Sequence, residues 1–129
     1  MGVEVTPDGS KVYVANSNVG NVSDTVSVID TKTNTVTVTV PVGTYPFRVA
    51  ITPDGTRVCV TDIGNNTVSV INTTTNTVTA TVNVGQWLYG VAVTPDGTKA
   101  YVANSYDNTV SVIHDHRECY SHCACRNES

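Results

Sequence analysis

The chain has 129 residues, which suits one modest domain, and its 7 basic and 11 acidic residues give a formal net charge of −4. Valine (25 residues) and threonine (21 residues) make up more than a third of the chain, whereas leucine and glutamine each occur once. This β-branched composition excludes a helical bundle, an α/β nucleotide-binding fold and a coiled coil, and the charge balance offers no basic surface for nucleic acid.

Three internal repeats organise the predicted elements along the chain. The turn sequence Thr-Pro-Asp-Gly begins at Thr6, Thr52 and Thr94, and the strand sequence Thr-Val-Ser-Val-Ile begins at Thr25, Thr67 and Thr109, 42 residues apart. Each repeat predicts four short strands, which in the second repeat fall at roughly 47–52, 57–62, 67–72 and 77–82. Proline, aspartate and glycine close the first turn, and asparagines that tolerate left-handed backbone mark the next two.

A four-stranded antiparallel unit of this length is typical of one blade of a β-propeller, in which 4–8 such blades form a ring. We therefore predict an all-β fold over residues 1–113, with blades at about 2–43, 46–85 and 88–113. Because the third repeat stops matching at His114, we expect its last strand to be missing and the ring to be incomplete, at about 2.75 blades. Uncovered blade faces and strand edges predict self-association or pairing with further propeller blades.

The repeated residues resemble the YVTN-type β-propeller repeat. The resemblance rests on Tyr-Val-Ala-Asn at 13–16 and 101–104, on the three Thr-Pro-Asp-Gly turns and on Thr-Val-Ser-Val-Ile. It implies a surface-layer or antigen-like protein, archaeal or bacterial, located at the cell surface or outside the cell. Because the chain holds only about three blades, we expect it to be a truncated or frame-shifted fragment of such a protein. No segment of the chain has the pattern of a signal peptide. Cys59 departs from the repeat, because the other copies have Tyr13 and Tyr101 there, and it predicts altered packing in the second blade.

The links that differ between repeats predict an interaction surface. Propeller topology places the constant turns on one rim and the variable links on the opposite rim, where aromatic residues with polar neighbours suit contact with a protein or a glycan. An alternative is that Trp87 and Tyr89 fill the gap between blades. The candidate residues on this rim are Tyr45, Arg48, Trp87, Tyr89 and Tyr106.

The residue types of the repeats do not indicate catalysis. Residues 1–113 contain no histidine, and Asp8, Asp54 and Asp96 each sit in a turn where aspartate bonds its own backbone. We predict a structural or interaction module that is not an enzyme, with no cofactor, no metal and no membrane span. The alternative is a fragment of a propeller enzyme, lactonase-like or quinoprotein dehydrogenase-like, whose catalytic groups would converge on a central channel.

The tail at 114–129 contains all three histidines and three of the four cysteines. Taken literally, thiolate and imidazole groups predict a zinc or copper site, although their spacing matches none of the usual ligand pairs. A second interpretation uses the genetic code: dropping the first base of the codons from His114 permits a sequence much like 31–44 of the first repeat. We expect the tail to be the missing fourth strand translated in a shifted frame, and a metal-binding tail remains the alternative.

Overall fold

The structure, a computed structural model, describes residues 2–17, 24–86, 88–105, 108–114 and 122–126, without the side chains of Tyr89, His114 and residues 122–126. These residues form twelve strands in three antiparallel sheets of four. The first sheet contains β1 (Val3–Val5), β2 (Lys11–Asn16), β3 (Thr25–Asp30) and β4 (Thr35–Pro41). The second contains β5 (Pro46–Ile51), β6 (Arg57–Asp62), β7 (Thr67–Asn72) and β8 (Thr77–Asn83). The third contains β9 (Leu88–Val93), β10 (Lys99–Asn104), β11 (Thr109–His114) and β12 (His122–Arg126).

Turn chemistry explains where the strands end. The glycines of the three Thr-Pro-Asp-Gly turns have φ angles of 75 to 77°, a left-handed backbone that glycine adopts without steric cost. Asparagine takes the same conformation at the other corners, at Asn34, Asn66, Asn76 and Asn108. Between these corners β-branched residues predominate, and they favour extended backbone. The prediction of an all-β fold built from four-stranded antiparallel units is therefore confirmed.

The repeats also share their register. Tyr13 lies opposite Val28 in the first sheet, as Cys59 lies opposite Val70 in the second and Tyr101 opposite Val112 in the third. The third and fourth strands of the first two sheets carry an irregularity at the same place, between Val28 and Ile29 and between Val70 and Ile71. Equivalent positions of different repeats can therefore be compared directly.

The sheets pack face to face, and each interface is an apolar core. Between the first and second sheets, Tyr13, Val28 and Val40 pack against Val58 and Ile71. A second core joins the second sheet to the third, and it contains Cys59, Val68, Val70, Val82, Leu88, Ala100, Val102 and Ile113. Among the described residues, the second sheet is therefore covered on both faces, whereas the first and third sheets each contribute one face to these cores.

The expectation that the third blade lacks its last strand is wrong. The tail segment β12 pairs antiparallel with β11, which places Cys125 opposite Val110 and Cys123 opposite Val112. In the second sheet, Val82 and Ala80 hold the corresponding positions opposite Val68 and Val70. Main-chain pairing depends weakly on side-chain identity, so the open edge of β11 accepts an extended segment that does not match the repeat. The shifted-frame interpretation of the tail stays a prediction.

Candidate functional site

The constant turns lie on one rim of the stack, here called the turn rim, and each closes on its own aspartate. In the first turn, Asp8 Oδ1 accepts hydrogen bonds from the backbone N–H of Ser10 (3.0 Å), from the Ser10 hydroxyl (2.8 Å) and from the Thr6 hydroxyl (2.8 Å). These bonds lower the pKa of Asp8 to about 2, and the bond from the Ser10 backbone contributes most. The pKa of Asp96 is also lowered to about 2, mainly by the Thr94 hydroxyl. The turn aspartates therefore stabilise structure.

The turn rim also contains a cleft of about 210 Å³ between the first two blades. Its lining includes Asp8, Lys11, Tyr13, Asp54 and Thr73. The carboxylate of Asp8 is already engaged by its own turn, and the Thr73 hydroxyl donates to the carbonyl of Gly55 at 2.6 Å. Asp8 and Thr73 therefore bond to the turns that border the cleft.

On the opposite rim, here called the variable rim, hydrogen bonds fix the backbone of Tyr45. Its N–H donates to Asp24 Oδ1 at 3.0 Å, and its carbonyl accepts from the N–H of Ile63 at 3.0 Å. Tyr45 has a φ of 58°, which is uncommon for a bulky residue, and its side chain is half-buried. The link between the first two blades is therefore tied both to the first sheet and to the β6–β7 turn.

Arg48 lies near the same end of β5. Its backbone N–H donates to Thr61 Oγ1 at 3.0 Å, and its guanidinium carbon lies 4.9 Å from the centroid of the Phe47 ring, a cation–π distance. Tyr45 directly precedes β5 and Arg48 is the third residue of that strand. Their role in an interaction surface stays a prediction. Trp87 and Tyr106 lie outside the described residues. Tyr89 belongs to β9, but its side chain lies outside the description, so the predicted aromatic cluster stays a prediction.

Sequence reasoning missed Asp62, which is fully buried at the start of the β6–β7 turn. Its Oδ2 accepts hydrogen bonds from the hydroxyls of Ser69 (2.6 Å) and Thr67 (3.0 Å), and its Oδ1 has no partner among the described residues. Burial raises the pKa of Asp62 to about 6, and these bonds with one from the Gly43 backbone only partly oppose it. The signal in the sequence is that the other repeats have asparagine at this position.

Those asparagines show what the position normally does. Asn104 Nδ2 donates to Thr109 Oγ1 (3.1 Å) and Ser111 Oγ (2.9 Å), and its Oδ1 accepts from the Gly85 N–H (3.0 Å). Asn16 makes the equivalent bonds to Thr25 and Ser27 in the first blade. An amide therefore joins three segments of the variable rim with a donor and an acceptor, whereas Asp62 can only accept when it is ionised.

The described residues contain no group of three or more histidine, cysteine, aspartate or glutamate side chains that could hold a metal ion. The tail side chains that suggest zinc or copper lie outside that description, so the metal hypothesis is untested.

Cys59 is described and lies in the second core. A space of about 10 Å³ lies beside it, between the second and third sheets. Over the described ranges, no helix is long and apolar enough to cross a membrane.

Comparison with known proteins identifies the fold. No protein-family model matches the chain, and no curated protein matches it. Among solved structures, hydrazine synthase from Kuenenia stuttgartiensis is 30% identical with a TM-score of 0.83, and the match covers 95% of this chain and 34% of that one. The β-propeller domain of Cps50 (Swd1) from Myceliophteria thermophila is 13% identical with a TM-score of 0.77, over 95% of this chain and 36% of that one. The chain thus spans about a third of either protein and has the architecture of β-propeller blades.

Proposed function

We propose that the chain is a non-enzymatic structural or interaction module of YVTN type, from a protein at the cell surface or outside the cell. Its variable rim is the surface that contacts a protein or a glycan. The observation that carries the proposal is the fixed backbone of Tyr45, which is tied to the first sheet and to the β6–β7 turn. A side chain held on a rigid link loses little conformational entropy on binding, which is how rigid paratopes gain affinity.

The residue types at this end of the blade also suit recognition. Tyrosine and arginine are enriched at the energetically important positions of protein interfaces, and aromatic faces with nearby polar groups also stack on sugars. Arg48 is exposed and Tyr45 half-buried, so both present atoms to solvent. On the turn rim, by contrast, the charged side chains of Asp8 and Asp96 are engaged within their own turns.

A glycan microarray, probed with the full chain, tests the glycan form of the proposal. We expect binding to at least one oligosaccharide class, with Tyr45→Ala and Arg48→Ala each weakening it about tenfold or more. Lys32→Ala is the matched control, because Lys32 is exposed on the turn rim and should leave binding unchanged. Equal losses in all three variants would place the binding surface elsewhere.

A protein partner requires a separate measurement. Photo-crosslinking from a benzophenone amino acid at Tyr45, compared with the same group at Lys32, should yield an adduct with a surface protein from Tyr45 only. Adducts from both positions, or from Lys32 alone, would contradict contact through the variable rim. The absence of both an adduct and a glycan signal would leave the module with a purely structural role and would overturn the interaction proposal.

The likeness to hydrazine synthase favours one second candidate, a portion of an enzyme built on propeller blades. In that case the charged groups needed for chemistry would come from other parts of a longer polypeptide. Sequencing the DNA that flanks the gene region tests it. Further blades with histidine or carboxylate residues at the first strand of each blade, which lines the channel, would favour the enzyme over the interaction module.

A further inference from the structure

The large apolar side chains that are exposed among the described residues lie on the two ends of the stack. They are Val3 (60% exposed), Val5 (53%), Val36 (55%) and Tyr101 (41%). Val3, Val5 and Val36 belong to the face of the first sheet that points away from the second, here called the leading face. Tyr101 belongs to the face of the third sheet that points away from the second, here called the trailing face.

Inside the stack the equivalent side chains are covered. The register makes Val49, Ile51 and Val78 the counterparts of the three leading-face valines, and all three pack in the core between the first and second sheets. Tyr13 is the counterpart of Tyr101, and it is fully buried in that same core. The first interface of the stack therefore shows what covers each end face: the opposite face of another blade.

Three specific contacts join a trailing face to the next leading face within the chain. Tyr13 Oη donates to Asn76 Oδ1 at 2.9 Å. Gly2 packs so closely on the second sheet that a Cβ on it would lie 2.7 Å from the backbone nitrogen of Val49. A Cβ on Gly55 would lie 3.4 Å from Cδ of Pro7, so the Thr-Pro-Asp-Gly turn of the second blade packs against that of the first.

Both ends of the stack carry the matching halves of these contacts. The trailing face has Tyr101 and Gly90, which correspond to Tyr13 and Gly2, and nothing lies within 4 Å of a Cβ placed on Gly90. The leading face has Asn34 and Gly9, which correspond to Asn76 and Gly55. Asn34 has the same left-handed φ as Asn76, and nothing lies within 4 Å of a Cβ on Gly9.

We propose that the trailing face of one copy of this chain docks on the leading face of a second copy. The Tyr101 hydroxyl of one copy then donates to Asn34 of the other, as Tyr13 donates to Asn76 within the chain. The contact joins two different faces, so each copy keeps one face of each kind to offer. Two copies of the 129-residue polypeptide joined at both ends contain six blades, within the 4–8 blades of closed propellers, whereas three copies contain nine. We therefore expect this polypeptide, taken by itself, to close as a ring of two copies.

The test combines light scattering after size-exclusion chromatography with a pair of face variants. The full chain should elute at twice its mass of 13.7 kDa. Tyr101→Lys breaks the trailing face and Val36→Lys the leading face, so each variant alone should be monomeric, with a dimer dissociation constant raised at least tenfold. Lys32→Glu, which changes charge on the turn rim, should leave the dimer intact.

The decisive experiment mixes the two variants. Tyr101→Lys chains keep an intact leading face and Val36→Lys chains an intact trailing face, so a one-to-one mixture should recover a heterodimer. That recovery also shows that both variants are folded, and their like charges exclude a new ion pair as its cause. A monomeric wild type, a dimer that survives either single variant, or filaments in place of a ring would each overturn the proposal. The readout is mass and not partner binding, so it is separate from the test of the variable rim.

Discussion

A buried carboxyl group in the second blade occupies the place of an amide in the first and third. Asp62 receives two hydroxyl donors on Oδ2, and its Oδ1 has no hydrogen-bond partner among the described residues. A buried acceptor without a donor, and a charge without a counter-charge, both cost stability. An asparagine at position 62 would donate from its side-chain amide to the hydroxyls of Thr67 and Ser69, as Asn104 donates to those of Thr109 and Ser111.

We therefore expect Asp62→Asn to stabilise the chain at neutral pH. The pKa of Asp62 is about 6 in the folded protein against an ordinary 3.8, and this difference corresponds to about 3 kcal/mol at pH 7 as an upper value. Urea unfolding of both proteins at pH 7 measures the change. Asp30→Asn is the control, since Asp30 also bonds a nearby backbone N–H but lies at the turn rim.

The same residue predicts a pH dependence with a definite sign. Since the folded state holds the Asp62 proton more tightly than the unfolded state, unfolding releases a proton between about pH 4 and pH 6. Raising the pH through this window therefore lowers the free energy of unfolding of the wild type, and Asp62→Asn removes that loss. Urea titrations at pH 4, 5, 6 and 7 should show the two proteins diverging as the pH rises. A difference that is constant with pH would refute the assignment.

Tyr13 allows a second test at the level of one atom. Tyr13→Phe removes the hydroxyl that donates to Asn76 and leaves the buried ring in place. We expect a loss of about 1 kcal/mol in the free energy of unfolding, the usual net value of one hydrogen bond. Tyr101→Phe is the matched control at the equivalent position of the third blade. Measured at concentrations too low for association, it should change stability little, and equal losses at both sites would contradict the interblade bond.

At the level of elements, we expect the Thr-Pro-Asp-Gly turns to make the free energy of unfolding depend on pH in the acidic range. Asp8→Ala removes the acceptor of three hydrogen bonds and should destabilise the first blade at pH 7. Because the folded pKa of Asp8 is about 2, its contribution is present above pH 4 and is lost as the pH falls toward 2. The difference in urea midpoint between the wild type and Asp8→Ala should therefore decrease as the pH falls over that range. Glu4→Ala, at an exposed acid of β1, is the control.

The strands were predictable because their signals are local. In the second blade the expected ranges 57–62 and 67–72 match β6 and β7, since alternating β-branched residues and left-handed glycine or asparagine corners fix both ends. The burial of Asp62 and the bond from Tyr13 to Asn76 depend on distant segments, which no local pattern reports. Only a comparison of the repeats, with aspartate in place of asparagine, could have indicated Asp62, and the sequence analysis did not draw that comparison.

The fourth strand of the third blade needs a test of its own. Replacing 114–129 with the sequence of 30–44 restores the alternating threonine and valine of β4. We expect this chimera to unfold at a higher urea concentration than the wild type. Val36 of the graft has Val78 as its counterpart, which packs against the preceding sheet, so the graft adds an apolar contact on the covered side of the third sheet. A chimera with a glycine and serine tail is the control and should be the least stable. If all three unfold alike, β12 contributes nothing to the third blade.

At the level of the whole molecule, stability should decrease from the middle of the stack to its ends. Nearly every residue of β6 and β7 is buried, whereas only alternate residues of β2 and β3 are. In a stack where each blade contacts only its neighbours, a blade that is covered on both faces gains two interfaces and an end blade gains one. Local opening should therefore begin in the first and third sheets.

Hydrogen exchange followed by mass spectrometry measures this gradient and links it to assembly. In dilute solution, the amides of β6 and β7 should exchange roughly tenfold or more slowly than those of β2, β3 and β10. Raising the protein concentration should slow exchange in the end sheets and leave the middle sheet unchanged, since docking of a second copy covers only the end faces. Tyr101→Lys should keep the end sheets fast at every concentration. Uniform protection across the three sheets in dilute solution would show that the stack opens as one cooperative unit and not blade by blade.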